Sequence, residues 1–163
     1  MDPWDKMYLQ MALVVATKSK DPSTKVGAVL VSPCKTEIAI GFNGFPASMQ
    51  DEEDVLRKET GYVLQNNVVT TVPVGFAAVS KLDLVLHAEE NAVLNCHKRP
   101  AGWSLYCTHI PCKNCARFLA GSGVSHIISL DQKGRTDLGY SSTALILALA
   151  GVTLTVIHPQ SLQ

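Results

Sequence analysis

The chain has no surplus charge of either sign: 14 Lys and Arg stand against 14 Asp and Glu, and the formal net charge is zero. There is thus no general electrostatic case for a nucleic-acid partner, although a local basic patch stays open. Aromatics make up only 6% of the residues, which is thin for a groove that stacks unpaired bases. No apolar run is long enough to span a membrane, and the run at 144–156 is broken by Gly151 into a helix, a turn and a strand. Met1-Asp2-Pro3-Trp4-Asp5 lacks a basic segment followed by an apolar one, so no secretory signal is expected. Internal repeats and low-complexity tracts are absent. The five cysteines are odd in number and do not read as a disulfide framework. Those outside the motif described next are expected to be reduced, buried small residues in a cytosolic protein. What is left is 47% hydrophobic over 163 residues, enough for a sizeable core. One domain is expected over 1–163.

The chemistry concentrates in two stretches, His87-Ala88-Glu89 and Pro111-Cys112-Lys113-Asn114-Cys115. Zinc takes nitrogen and thiolate ligands, and a catalytic zinc keeps three protein ligands and one open position. His87, Cys112 and Cys115 supply that count, which leaves Glu89 to move protons. Residues 89–94 read as the first turns of a helix with His87 at its edge. Pro111 suits the start of a second helix, where a missing N–H costs nothing. Cys112 and Cys115 are three apart and share a face of it. Helix N-termini and a metal both favour thiolate, so two helix starts aimed at one zinc is the arrangement expected. Taken singly the pieces are weaker. A lone C-x-x-C is also a redox pair or half of a structural zinc site, and a lone H-x-E is common. A closed structural site would want four ligands, and no second C-x-x-C or H-x-x-x-H is present. Cys96-His97 does not make a second site, because adjacent residues on a helix diverge.

Along the chain, Asp2 is placed to cap a helix with Pro3 at its first position. Trp4, Met7, Tyr8, Met11, Ala12 and Val15 recur at helical spacing and are expected to form its core face. Residues 19–25 are a polar loop. Strands are expected at 26–32 and 38–42, with a turn at 33–36 between them. Gly41-Phe42-Asn43-Gly44-Phe45-Pro46 closes the second strand, and Asn43 at the strand end is a candidate binding residue. The tract 47–86 reads as an insertion, with a short helix at 51–58 and a hairpin over 66–78 that has Pro73 in or beside its turn. Strands at 103–108, 124–130 and 152–157 alternate with helices at 112–120 and 140–150. This alternation predicts an α/β sandwich on a mixed sheet of about five strands, with the site at the carboxyl edge of the sheet.

H-x-E followed by P-C-x-x-C is the zinc deaminase signature. With Ser19-Lys20-Asp21-Pro22-Ser23-Thr24-Lys25-Val26-Gly27-Ala28 and the Gly41 to Pro46 motif, the sequence resembles the deoxycytidylate (dCMP) deaminases of phage and bacterial type, over residues 4–157. The resemblance implies a three-layer α/β/α cytidine deaminase-like fold. It implies one Zn2+ per subunit on His87, Cys112 and Cys115, with Glu89 as the proton carrier. It implies hydrolysis of dCMP to dUMP and ammonia, supplying dUMP for thymidylate synthesis. Asn43 is implied at the sugar 3′-hydroxyl, the backbone of Ala88 at the pyrimidine, and Ser23, Thr24 and Lys25 at the phosphate. Gly41, Phe42, Gly44 and Phe45 are implied at a site for dCTP with Mg2+ as activator and dTTP as inhibitor, in a homo-oligomer, typically a hexamer. Such an enzyme is cytoplasmic, of the host cell if phage-encoded, with no membrane or nucleic-acid partner. Two other readings compete: a deaminase of a base in RNA or single-stranded DNA, and a silent nucleotide-sensing protein of the same fold. The first wants a basic, aromatic groove, and the second has no reason to keep Glu89 and all three ligands.

Overall fold

The computed structural model describes residues 1–49, 60–73, 75, 77, 79–131 and 138–162. The helix expected at 51–58 lies outside these residues. The first helix, α1, spans Pro3–Ala16, and the Asp2 carboxylate accepts the Trp4 backbone N–H at 3.0 Å as the cap reading requires. Strands β1 (Gly27–Val31), β2 (Ile38–Phe42), β6 (Ser104–Cys107), β7 (His126–Leu130) and β8 (Thr153–Ile157) form one sheet in the order β2-β1-β6-β7-β8. β1 is antiparallel to both its neighbours, while β6, β7 and β8 run parallel, so the sheet is mixed. The parallel steps are made through α4 (Lys113–Ser122) and α5 (Leu138–Leu149).

The two-residue period of the strands assigns the two faces. Val29, Val31, Tyr106 and Ile128 pack on one side against Tyr8, Leu9, Ala12 and Val15 of α1. Ala28, Leu30, Leu105 and Ile127 point to the other side, onto α3 (Ala88–Leu94), α4 and α5. The sheet is thus covered on both faces, giving the three α/β/α layers that were expected. β1 is buried along its whole length, which is why it reads as a continuous apolar run. The α1 stripe differs from the sequence reading. Trp4 and Met7 are exposed, and Leu9 is buried in their place. Trp4 stacks on Tyr8 and carries the Lys35 ammonium over its ring, an arrangement that periodicity cannot foresee.

Close approach of helix to sheet depends on two glycines. A Cβ on Gly27 would lie 2.1 Å from the Ala12 carbonyl oxygen of α1. A Cβ on Gly41 would lie 2.2 Å from the Ala88 carbonyl oxygen and 2.3 Å from the Ala92 nitrogen of α3. Both helices therefore rest backbone to backbone on the sheet, and Gly41 is an α3 packing position.

A second, three-stranded sheet in the order β4-β3-β5 holds part of the 47–86 tract. β3 (Thr60–Gln65) and β4 (Val68–Pro73) form a hairpin whose turn is Asn66-Asn67, both at positive φ. The expected hairpin thus begins six residues earlier, and Pro73 ends a strand rather than making the turn. Asparagine tolerates the left-handed conformation that a two-residue hairpin turn demands. β5 (Val79–Ser80) leads into α2 (Lys81–Leu84), where the Asp83 carboxylate accepts both the Ser80 backbone N–H and its hydroxyl. No helix among the described residues is long and apolar enough to cross a membrane. All five cysteines are unpaired thiols, and Cys34 is exposed rather than buried as expected.

Candidate active site

Strand register builds the site. Gly27 opposes Phe42 on one side, and Ala28 opposes Cys107 on the other. The start of β1 and the carboxyl ends of β2 and β6 therefore meet at one edge of the sheet, as anticipated from the strand-to-helix junctions. Three loops are tied together there. The Asn43 N–H donates to the Val26 carbonyl at 3.2 Å, and the Thr108 N–H donates to the Gly27 carbonyl at 3.0 Å. Gly44 and Leu86 exchange backbone hydrogen bonds, which anchors the segment entering α3. The result is a cleft of about 290 Å³.

His87 and Cys112 are the N-cap residues of α3 and α4. The Glu90 carboxylate accepts the His87 backbone N–H at 2.7 Å and closes the start of α3. Buried Thr143 of α5 donates its hydroxyl to the Pro111 carbonyl at 2.9 Å and fixes the loop before Cys112. The ligand atoms of His87, Cys112 and Cys115 all lie within 4.8 Å of one another. His87 Nδ1 stands 3.2 Å from Cys115 Sγ and 3.7 Å from Cys112 Sγ. Among the described residues this is the one cluster of three or more His, Cys, Asp or Glu side chains able to hold a metal. Cys96 packs against the core and His97 is exposed.

Hydrogen bonds within the cluster divide its protons unevenly. Hydrogen bonds from the Cys115 thiol, from His87 and from the Cys115 backbone N–H pull the Cys112 thiol down to about 3 in spite of burial. The hydrogen bond with Cys112 raises His87 to about 9 against its own burial. Cys115 is driven far up by its bond to Cys112 and by burial. One imidazole nitrogen and two sulfurs converging at these distances fit zinc, whose charge would release both protons. Glu89 is buried beside them at 4% exposure, and burial lifts its carboxyl to about 7.

The zinc-binding region of cytidine and deoxycytidylate deaminases, as a family profile, matches residues 2–130. The chain belongs to this deaminase family. It is 34% identical over 129 residues to an uncharacterised deaminase of Aliivibrio fischeri, covering 79% of this chain and 74% of that one. It is 29% identical over 158 residues to the deoxycytidylate deaminase of Mus musculus, covering 96% and 81%. The dCMP deaminase of cyanophage S-TIM5, solved with dCMP and dUMP, superposes with a TM-score of 0.67 at 24% identity, covering 96% of this chain and 99% of that one. As a member of this family the chain is an enzyme of hydrolytic deamination.

The deaminase brings most of the residues singled out by sequence to one cleft. His87, Ala88, Glu89, Cys112, Asn43, Ser23 and Thr24 line it, while Lys25 is exposed and does not. Asn43 is buried, and its amide is already engaged. Its Oδ1 accepts the Val26 N–H at 2.7 Å, and its Nδ2 donates to the Thr24 carbonyl at 2.9 Å and to Asp21 at 3.4 Å. Of the 41–45 residues, Gly41 is covered by α3, Phe42 presents its carbonyl to the Asn91 amide, Gly44 holds the Leu86 bridge and Phe45 is buried. Sequence reasoning missed Asp21, Lys81 and His109, which also line the cleft. Lys81 had one signal: Ser80 and Asp83 stand at capping-box spacing just ahead of His87.

Proposed function

We propose that this deaminase acts on dCMP, hydrolysing its exocyclic amine to give dUMP and ammonia and so supplying dUMP for thymidylate synthesis. The observation that carries the reading is Glu89: a buried carboxyl, pushed up by burial, at the wall of a cleft shared with a His-Cys-Cys cluster. A group that gains and loses a proton near the working pH is what general acid–base catalysis asks for. His87, Cys112 and Cys115 are the residues that would hold zinc, which when bound supplies Lewis acidity and an activated water.

The chain's own part is proton movement and positioning. Glu89 accepts a proton as water adds at C4 of the pyrimidine and delivers it to ring N3. A second transfer through Glu89, from the hydroxyl at C4 to the amino nitrogen, lets ammonia leave as the carbonyl forms. The Ala88 backbone, at the start of α3, is the proposed partner of the pyrimidine edge. Asn43 acts chiefly by holding Thr24 and Val26 in place, with one Oδ1 lone pair left for the sugar 3′-hydroxyl. Ser23 and Thr24 bring hydroxyls to the same cleft, and Lys25 leaves the phosphate set because it faces away from it. No Phe, Tyr or Trp is among the described lining residues, which favours a free nucleotide over a stacked strand of RNA or DNA. The intact Glu89 and ligand set favours an enzyme over a silent sensor.

We read the whole chain, 1–163, as one deaminase domain. Regulation by dCTP with Mg2+ and by dTTP belongs to the same proposal and rests on kinship with the deoxycytidylate deaminases. So does a hexameric assembly, which the exposed Ile38, Ile40 and Phe42 of edge strand β2 support. A cytoplasmic setting suits five unpaired thiols. The deciding assay follows uracil formation from dCMP, deoxycytidine, dCTP and a cytosine-bearing oligonucleotide, with dCTP and dTTP then added to the dCMP reaction. Fastest turnover of dCMP is expected; preference for the oligonucleotide would overturn the substrate, and indifference to both triphosphates would remove the regulation.

A further inference from the structure

We infer that Lys81, steered by Asp21, is the cation that receives the 5′-phosphate of the substrate, and that this subsite is built for a single phosphoryl group. The inference rests on the nucleotide deaminase reading and deepens it. Lys81 is 2% exposed, yet it lines the cleft, and its ammonium lies 2.6 Å from the Asp21 carboxylate. Asp21 is saturated by donors. One oxygen accepts the backbone N–H groups of Ser23 and Thr24 at 2.8 and 3.2 Å. The other takes Lys81 and, at 3.4 Å, the Asn43 amide. The carboxylate therefore folds the 21–24 turn and fixes the lysine, with little acceptor capacity left over.

Lys81 is in the opposite condition. An ammonium has three N–H donors, and among the described residues Lys81 has Asp21 as its one partner. Burying a charge whose donors are unmatched is costly, and a buried ion pair is poor at stabilising a fold by itself. The arrangement makes sense if an anion supplies the missing acceptors. The hydroxyls of Ser23 and Thr24 line the same cleft, on the turn that Asp21 organises. One ammonium and two hydroxyls are the donors of a phosphate site. Lys81 is also the one lysine or arginine among the described lining residues, and it is set against Asp21. Among the described lining residues no second lysine or arginine stands ready for a β- or γ-phosphate, and the Asp21 charge opposes the larger anion. The signal lies in the tract read as an insertion, six residues ahead of His87.

The test uses the zinc-loaded full chain and compares kcat/KM for dCMP with that for deoxycytidine. Lys81→Met is expected to lower this ratio about 10- to 100-fold, mainly through the KM for dCMP, in line with loss of charge-assisted hydrogen bonds. Lys81→Arg, which keeps the charge, is expected to recover part of the ratio, and Lys25→Met to leave it within about twofold. Competitive inhibition by inorganic phosphate is expected in the wild type and not in Lys81→Met. A fall in both kcat/KM values with an unchanged ratio would make Lys81 merely structural and overturn the inference. A collapse of the ratio in Lys25→Met would move the cation elsewhere and overturn it too. Should Lys81→Met fail to fold, the double variant Asp21→Asn, Lys81→Met removes both charges and is read by the same ratio. If the wild type released ammonia from none of these substrates, the deaminase reading itself would fail. Binding of dUMP, weakened about 10-fold or more in Lys81→Met, would then still judge the phosphate site, and equal binding would overturn it.

Discussion

Gly41→Ala places one methyl group where the structure has no room for it. The new Cβ would sit 2.2 Å from the Ala88 carbonyl oxygen, 2.3 Å from the Ala92 nitrogen and 2.8 Å from the Asn91 carbonyl carbon. Ordinary contact begins at roughly 3.4 Å, so α3 must move outward by about 1 Å, and all three obstacles are backbone, which no rotamer change relieves. Overpacking of this kind costs about 1–3 kcal/mol. For a chain of this size that is a melting-temperature loss of roughly 2–12 °C. The functional consequence is larger. α3 begins at Ala88 with His87 as its cap, and Glu89 sits in its first turn. A displacement of ~1 Å draws His87 from the two cysteines and Glu89 from the reacting atoms, and misplacement on that scale costs on the order of 10²-fold in rate. Calorimetry, zinc analysis and dCMP turnover are measured together on Gly41→Ala and on Gly44→Ala, whose Cβ meets nothing within 4 Å. The expected result is lowered stability, zinc content and turnover in the first and near wild-type melting in the second. A Gly41→Ala protein that melts as wild type, holds a full zinc equivalent and turns over normally would refute the packing argument. If it also lost its response to triphosphates, Gly41 would be an effector contact instead.

Three further outcomes are expected. Glu89→Gln keeps shape and zinc but cannot carry the proton, so turnover should fall at least about 10²-fold with dUMP binding retained; near-normal turnover with a lowered melting temperature would make Glu89 a structural helix residue. Cys112→Ser or Cys115→Ser should lose most of the zinc, because a neutral hydroxyl replaces a thiolate, and a full zinc equivalent in both by elemental analysis would refute the ligand set. Burial works to raise the Asp21 carboxyl, but hydrogen bonds from Lys81, Ser23 and Thr24 and the lysine charge bring it below 3.8. A depressed folded value means that its stabilisation is present above the unfolded pKa and vanishes as pH falls through the folded one. The melting-temperature gap between wild type and Asp21→Asn should therefore hold from pH 7 to about 4 and close below that; a gap that stays constant down to pH 2 would sink the assignment.

The sequence by itself determined the chemistry and the main sheet. That His87, Cys112 and Cys115 would cluster with Glu89 close by was legible because both pieces sit at helix starts marked by short-range spacing. The five strands were legible because buried β-runs are apolar and short, and their expected limits differ from the observed ones by at most two residues. The tertiary structure decided what depends on register and on neighbours distant in the chain. Lys81 and Asp21 are sixty residues apart, and no local pattern pairs them. Lys25 has the right charge, but the turn folded by Asp21 aims it outward. Asn43 looked like a ligand for the sugar, yet its amide mostly serves its own loop. Gly41 was implied at an effector site by resemblance alone, and only the tertiary structure shows that a helix backbone is laid against it. Trp4 and Met7 obey the helical period but extend beyond the packed face. Period and spacing report what a residue does to its near neighbours. Which distant group completes its contacts is set when the sheet closes, and in this deaminase that closure made the cleft.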